Sequence, residues 1–202
     1  MLALLNLLAA IALLVWGTQI VRTGILRVFG ESLRQWLAAG MSSRLRSVLA
    51  GLAVSSLIQS STATGLIVAS FLGRALVPLS VALAVMLGAD VGTSLMALAF
   101  SFDLSWLSPL LIFVGVVMFV SREKSNAGRL GRVAIGLGLI LLSLQLIVAS
   151  TKPLTEAPAL RGLLAALPNE VLLDILVGAA LTVLSYSSLA IVLLTATLAA
   201  SG

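Results

Sequence analysis

Histidine and cysteine are both absent from the 202 residues, and only 9% of the residues are charged. Their absence removes disulfides, thiolate and imidazole metal ligands, imidazole general bases and cysteine nucleophiles. Lysine occurs twice, at Lys124 and Lys152, both outside the long apolar runs. No lysine is therefore available to a serine inside those runs, as a Ser–Lys dyad requires. Seven acidic residues occur, and only Asp90 lies deep inside an apolar stretch, so a buried pair of aspartates is missing too. This inventory argues against an enzyme, and no cofactor or resident metal is expected.

What is present is apolar. Hydrophobic residues make up 60% of the chain and the mean hydropathy is +1.21. A soluble domain is nearer about half apolar and about a quarter charged. The composition is that of an all-α polytopic membrane protein. The net charge of +5 and pI near 11.1 would suggest nucleic acid in a soluble chain. Here basic loops on one face of a bilayer explain them, and no nucleic-acid partner is expected.

The first apolar run, Leu2 to Val21, is about one bilayer thick. It has no basic N-terminus and no small-residue cleavage site after it, so it reads as a retained span. Residues 22–46 carry Arg22, Arg27, Arg34, Arg44 and Arg46. Leu33, Trp36, Leu37, Met41 and Leu45 recur there at helical spacing, which predicts an amphipathic helix lying in the interface. Residues 47–73 are uncharged, with the polar string Gln59-Ser60-Ser61-Thr62 at their centre. Spans are expected at 75–102, 106–121 and 133–150, the last two separated by a basic loop ending at Arg132. Three prolines, Pro153, Pro158 and Pro168, mark 151–174 as an external loop, and a last apolar run begins at Ile175.

Charge decides between two topologies for 47–73. If that segment crosses the membrane, the twelve Lys and Arg split seven to five; if it enters and returns, they split ten to two. The positive-inside rule favours the second, with the N-terminus outside and a re-entrant hairpin entering from the cytoplasm. Two arms of about 12 residues reach about 18 Å each, which puts Gln59–Thr62 near the midplane.

The same pattern returns 127 residues later. Gly51, Leu57, Ser60, Ser61 and Ala63 align with Gly178, Leu184, Ser187, Ser188 and Ala190. The preceding spans also rhyme, Gln19-Ile20-Val21 with Gln145-Leu146-Ile147, one residue out of phase. The charge argument has the two copies entering from opposite faces. Inverted repeats with interrupted apolar segments are the signature of a secondary transporter, its site lying where the breaks meet. The expected fold is thus an inverted-repeat transporter fold with re-entrant helical hairpins. Residues 1–132 form its first repeat and 133–202 an incomplete second. Helix ends inside a membrane present N–H groups and positive partial charge to an anion, and carbonyls and hydroxyls to a hard cation such as sodium.

The string Gln59-Ser60-Ser61-Thr62, followed by Gly88-Ala89-Asp90-Val91-Gly92-Thr93, resembles the type II sodium/phosphate cotransporter family. That family carries a Gln-Ser-Ser-Ser/Thr signature in each inverted repeat, and a Gly-Ala-Asn-Ile-Gly-Thr element after the first. The resemblance covers essentially the whole chain, as the N-terminal two-thirds of the family's membrane core. It implies sodium-driven symport of inorganic phosphate by alternating access in a bacterial inner membrane. By it Gln59, Ser60, Ser61, Thr62, Thr93, Ser187 and Ser188 line the phosphate and sodium sites, sodium being the coupling ion.

The chain departs from the family pattern at three points. Tyr186 and Leu189 stand where the second signature has Gln and Ser or Thr, and Asp90 stands for Asn. The counterpart of Gly88–Thr93, due near 215–220, lies beyond Gly202, so an incomplete chain or a degenerate member is expected. A lone carboxylate at mid-span is a functional candidate by default, and Asp90 reads as a sodium ligand or a protonation site. The blander reading is a protonated Asp90 hydrogen-bonded into the bundle. Gly88 and Gly92 suggest local unwinding beside the site, against a plain small-residue packing face. Ser55 and Ser56 read as packing residues. Tyr186 divides evenly between site and packing. The basic loop reads as a topology determinant, with anionic lipid contact as the lesser reading. Two rivals stay open: a non-transporting membrane scaffold that assembles with a partner or its own copy, and a symporter for another small anion.

Overall fold

The structure, a computed structural model, describes residues 2–102, 104, 106–122, 125–155, 171–185 and 187–200. Tyr186, Glu123, Lys124 and most of the expected external loop, with Arg161, lie outside the described residues. The described residues form eight helices: α1 (Leu2–Gly40), α2 (Arg44–Ile58), α3 (Ser61–Gly73), α4 (Leu79–Ser101), α5 (Leu107–Ser121), α6 (Asn126–Thr155), α7 (Val171–Ser185) and α8 (Ser188–Ala200).

Large apolar side chains cover the outside, among them Leu2, Leu66, Val120 and Leu184, as lipid-facing side chains of a membrane protein do. Three helices, α1, α4 and α6, are long and apolar enough to cross a bilayer. Two buried clusters hold the bundle. One joins Ala10, Leu14 and Val21 of α1 to Ile140 and Ile147 of α6 and to Leu189, Leu193 and Leu194 of α8. The other joins Leu33 and Leu37 of α1 to Val54 and Ile58 of α2, Ala63 and Val68 of α3, and Val85 of α4.

Glycine contacts give the directions of packing. A Cβ on Gly51 would meet the Val85 carbonyl, one on Gly88 the Val48 carbonyl, and one on Gly92 the Leu52 carbonyl. Rising numbers on α2 thus meet rising numbers on α4, so the two run parallel with backbones in close approach. Gly65 of α3 faces Met86 of α4, across the short turn at 74–78. α3 is therefore antiparallel to α4, and hence to α2. Gly17 meets Gly136 and Ile140, and Gly24 meets Val133, which makes α1 and α6 antiparallel. Gly115 and Gly138 set α5 antiparallel to α6 in the same way, and the Ser108 hydroxyl donates to the Gly138 carbonyl at 2.8 Å. Each interrupted pair, α2–α3 and α7–α8, follows one of two antiparallel helices. An inverted repeat requires such an antiparallel pair.

Several boundaries differ from the sequence expectation. No separate interfacial helix exists at 22–46, because α1 continues unbroken to Gly40. The segment contains no proline, and Leu33 and Leu37 gain burial against α2–α4 rather than lipid. Nor is α4 unwound at Gly88–Thr93. Its Gly88 and Gly92 are consumed in the contact with α2, where Ser56 donates to the Gly92 carbonyl and the Ser55 and Thr93 hydroxyls lie 3.1 Å apart. Helix α6 starts at Asn126, inside the expected basic loop, because Ser125 caps it by accepting from the Gly128 N–H at 3.3 Å. It runs on to Thr155, and α7 starts four residues before Ile175.

Candidate functional site

The two breaks share a serine cap. At the first, Gln59 takes the left-handed conformation (φ 57°, ψ 34°), and its N–H and that of Ser60 both return to the Ser55 carbonyl. This closes α2 in the way a glycine usually does. Ser60 then extends (φ −156°), and its hydroxyl accepts from the Ala63 N–H at 3.1 Å, capping α3. At the second break the Ser187 hydroxyl accepts from the Ala190 N–H at 3.2 Å, capping α8. The caps sit at the positions that the repeat alignment pairs.

A narrow cleft brings the breaks together. Its walls are Gln59, Ser60 and Thr62 from the first break, Ser187 and Ser188 from the second, and Thr18, Gln19 and Arg22 from α1. Its volume is about 10 Å³, room for about one water. The starts of α3 and α8 both reach it, so two sets of first-turn N–H groups and two positive helix ends converge beside a guanidinium. Arg22 is half-buried, and among the described residues no carboxylate shares the cleft with it.

Next to Ser188 lies a larger hollow of about 190 Å³, lined by Ser61, Asp90, Thr93, Ser94 and Ser188 together with Ala97, Leu189 and Val192. Asp90 is exposed there. Ser188 borders both spaces, so a basic surface with Arg22 and an acidic surface with Asp90 share one wall.

Gln59 stands out energetically. A non-glycine residue in the left-handed region costs about 1–2 kcal/mol. Its side chain is also buried, and its carbonyl oxygen Oε1 has no hydrogen-bond partner among the described residues. A buried acceptor without a donor costs roughly 1–3 kcal/mol more. An acceptor in that position is suited to a hard cation or to a donor arriving with a ligand.

The eight residues singled out from sequence thus divide between the two spaces: Gln59, Ser60, Thr62 and Ser187 in the cleft, Ser61, Asp90 and Thr93 in the hollow, and Ser188 in both. Thr93 also donates to the Ala89 carbonyl of its own helix at 2.8 Å. Sequence reasoning missed Thr18, Gln19 and Arg22. Gln19 was visible in the repeat alignment, whereas Arg22 had been absorbed into the count of topology charges.

A family model described as "Na+/Pi-cotransporter" matches residues 13–149. The chain is similar to a protein named "Putative inorganic phosphate export protein YjbB" in three bacteria. The identity over 202 residues is 57% for Escherichia coli and 56% for Shigella flexneri and Salmonella typhimurium. Each match covers 100% of this chain and 37% of the relative, so the chain spans little over a third of those proteins' length. No solved structure matches the chain.

Proposed function

The chain belongs to the Na+/Pi-cotransporter family, and from that premise we propose that it forms the site through which inorganic phosphate crosses a bacterial inner membrane, coupled to sodium. The observation that carries this reading is the meeting of the two helix breaks at Arg22, with Asp90 behind the shared Ser188. In the proposed mechanism the oxyanion takes hydrogen bonds from the starts of α3 and α8, from Ser60, Thr62, Ser187 and Ser188, and from the Arg22 guanidinium. Sodium takes oxygen ligands from the Ser61 and Thr93 hydroxyls and the Asp90 carboxylate in the hollow, and the Gln59 carbonyl oxygen completes its shell from the cleft side. Each ion offsets the field of the other across one serine wall, so each binds better in the other's presence. The coupling is reciprocal by linkage.

The cleft holds about one water, less than a phosphate needs. Phosphate therefore enters as α1 and the two breaks part, a motion that also exposes the site to one side of the membrane. Symport of this kind is reversible, and the gradients set the net direction. The relatives are named for export; a sufficient inward sodium gradient would drive uptake through the same site. The ten-to-two split of basic residues that a re-entrant hairpin gives supports an N-terminus outside and an α2–α3 hairpin entering from the cytoplasm.

The test is radioactive phosphate flux in proteoliposomes with imposed gradients, sodium against potassium. Sodium-dependent flux in either direction is expected, lost in Arg22→Gln and partly restored in Arg22→Lys. Equal flux in sodium and potassium, or an Arg22→Gln protein with unchanged phosphate affinity, would overturn the assignment.

A further inference from the structure

A second gathering of arginines lies away from the helix breaks. Where the end of α5 and the start of α6 meet α1, a hollow of about 100 Å³ is lined by Arg27, Arg129, Arg132, Phe119, Gly24 and Gly128. Three of the chain's twelve cations share it, and among the described residues no carboxylate does. Like charges brought to one hollow repel unless something negative sits among them. Two of the three guanidiniums are nonetheless held in place. Arg129 donates to the Arg27 carbonyl at 3.2 Å, tying α6 to α1. Arg132 stacks over the Phe119 ring with its central carbon 5.0 Å from the centroid, tying α6 to α5. Its floor is two buried glycines, Gly24 and Gly128, so backbone rather than side chain forms the base.

We propose that this hollow binds a phosphate group, independently of the transport site. Arginine forks match the geometry of phosphate oxygens, and fixing one fork by an aromatic face and another by a carbonyl orders them in advance. Arg27, Arg122, Arg129 and Arg132 all fall on the side that holds ten of the twelve basic residues, the cytoplasmic side by the positive-inside rule. Basic pockets between membrane helices on that side receive the phosphates of anionic lipids, and a free phosphate would offer the same oxygens. Such a ligand would touch α1, α5 and α6 at once and brace their contact.

The experiment measures thermal stability of purified protein in neutral detergent with added phosphatidylglycerol, cardiolipin, phosphatidylcholine or inorganic phosphate. The expected result is stabilisation by cardiolipin or phosphatidylglycerol and none by phosphatidylcholine. Affinity should fall roughly fivefold for each arginine replaced among Arg27→Gln, Arg129→Gln and Arg132→Gln. Phe119→Leu leaves the charge count, and so the topology, untouched, and should also weaken the effect. Stabilisation by inorganic phosphate that survives Arg22→Gln but not Arg129→Gln would identify the free anion as the ligand. Stabilisation by anionic lipid that all four variants retain, or none from any phosphate, would overturn the proposal.

Discussion

Gln59→Met separates stability from function at the first break. Methionine matches glutamine in length and lacks branching, so the buried volume is nearly kept. The left-handed backbone remains occupied by a non-glycine residue, so its strain of about 1–2 kcal/mol cancels between the two proteins. What changes is the unpaired Oε1. Removing a buried acceptor without a partner returns roughly 1–3 kcal/mol, and packing mismatch takes back less than about 1.5 kcal/mol. The ligand-free variant should therefore be as stable as the parent or more so, by up to about 2 kcal/mol, near thirtyfold in the folding equilibrium. Its response to ions should go the other way. If Oε1 is a sodium ligand, the parent gains stability as sodium replaces potassium at constant ionic strength, and the variant does not. Thermal unfolding in detergent, read in both salts, measures both quantities in one experiment. A variant destabilised in potassium by more than about 2 kcal/mol, with its sodium response intact, would refute the argument. It would mean that the glutamine is there for packing.

Other consequences can be checked in the same way. Ser60→Ala and Ser187→Ala each remove one helix cap and should each cost about 1 kcal/mol, measured by the same unfolding assay, with the double change close to additive. Gly88→Val forces a side chain against the Val48 carbonyl, spreads α2 from α4, and should lower stability by at least about 3 kcal/mol; a well-folded variant by size-exclusion chromatography would contradict the close approach. Asp90→Asn restores the residue usual in the family's motif and removes a charge from the hollow, so half-maximal sodium for flux should rise about tenfold while half-maximal phosphate shifts less.

The helix breaks were legible because a polar string in an apolar run has few uses. Gln59-Ser60-Ser61-Thr62 cannot face lipid, and the serine pair at Ser187 repeats it, so both interruptions were visible from sequence. The role of Gly88 and Gly92 was not. Small residues at i and i+4 suit a loosened turn and a close helix contact alike, and only the partner, Val48 and Leu52 on α2, decides between them. Arg22 was hidden for a different reason. A single arginine at the end of an apolar run serves topology and anion binding equally well until folding shows what stands beside it. The continuity of α1 was masked because its amphipathic half has the same pattern whether its apolar face meets lipid or a neighbouring helix.

That continuity makes α1 a mechanical link. At 39 residues it is about 58 Å long, nearly twice the thickness of a bilayer core. Its first half is fixed in the cluster with α6 and α8, and its second half grips α2 and α3 through Leu33 and Leu37. Any displacement of the first hairpin relative to the second break must then flex this one rod or tear Leu33 and Leu37 free. Between the two grips sits Gly30, with open space around it, where bending meets no side chain. The exposed indole of Trp36 lies just past that point. The protein thus carries its own strain gauge: bending at Gly30 would move Trp36, and under the proposed mechanism a stiffer Gly30→Ala rod would slow each stroke without touching the site.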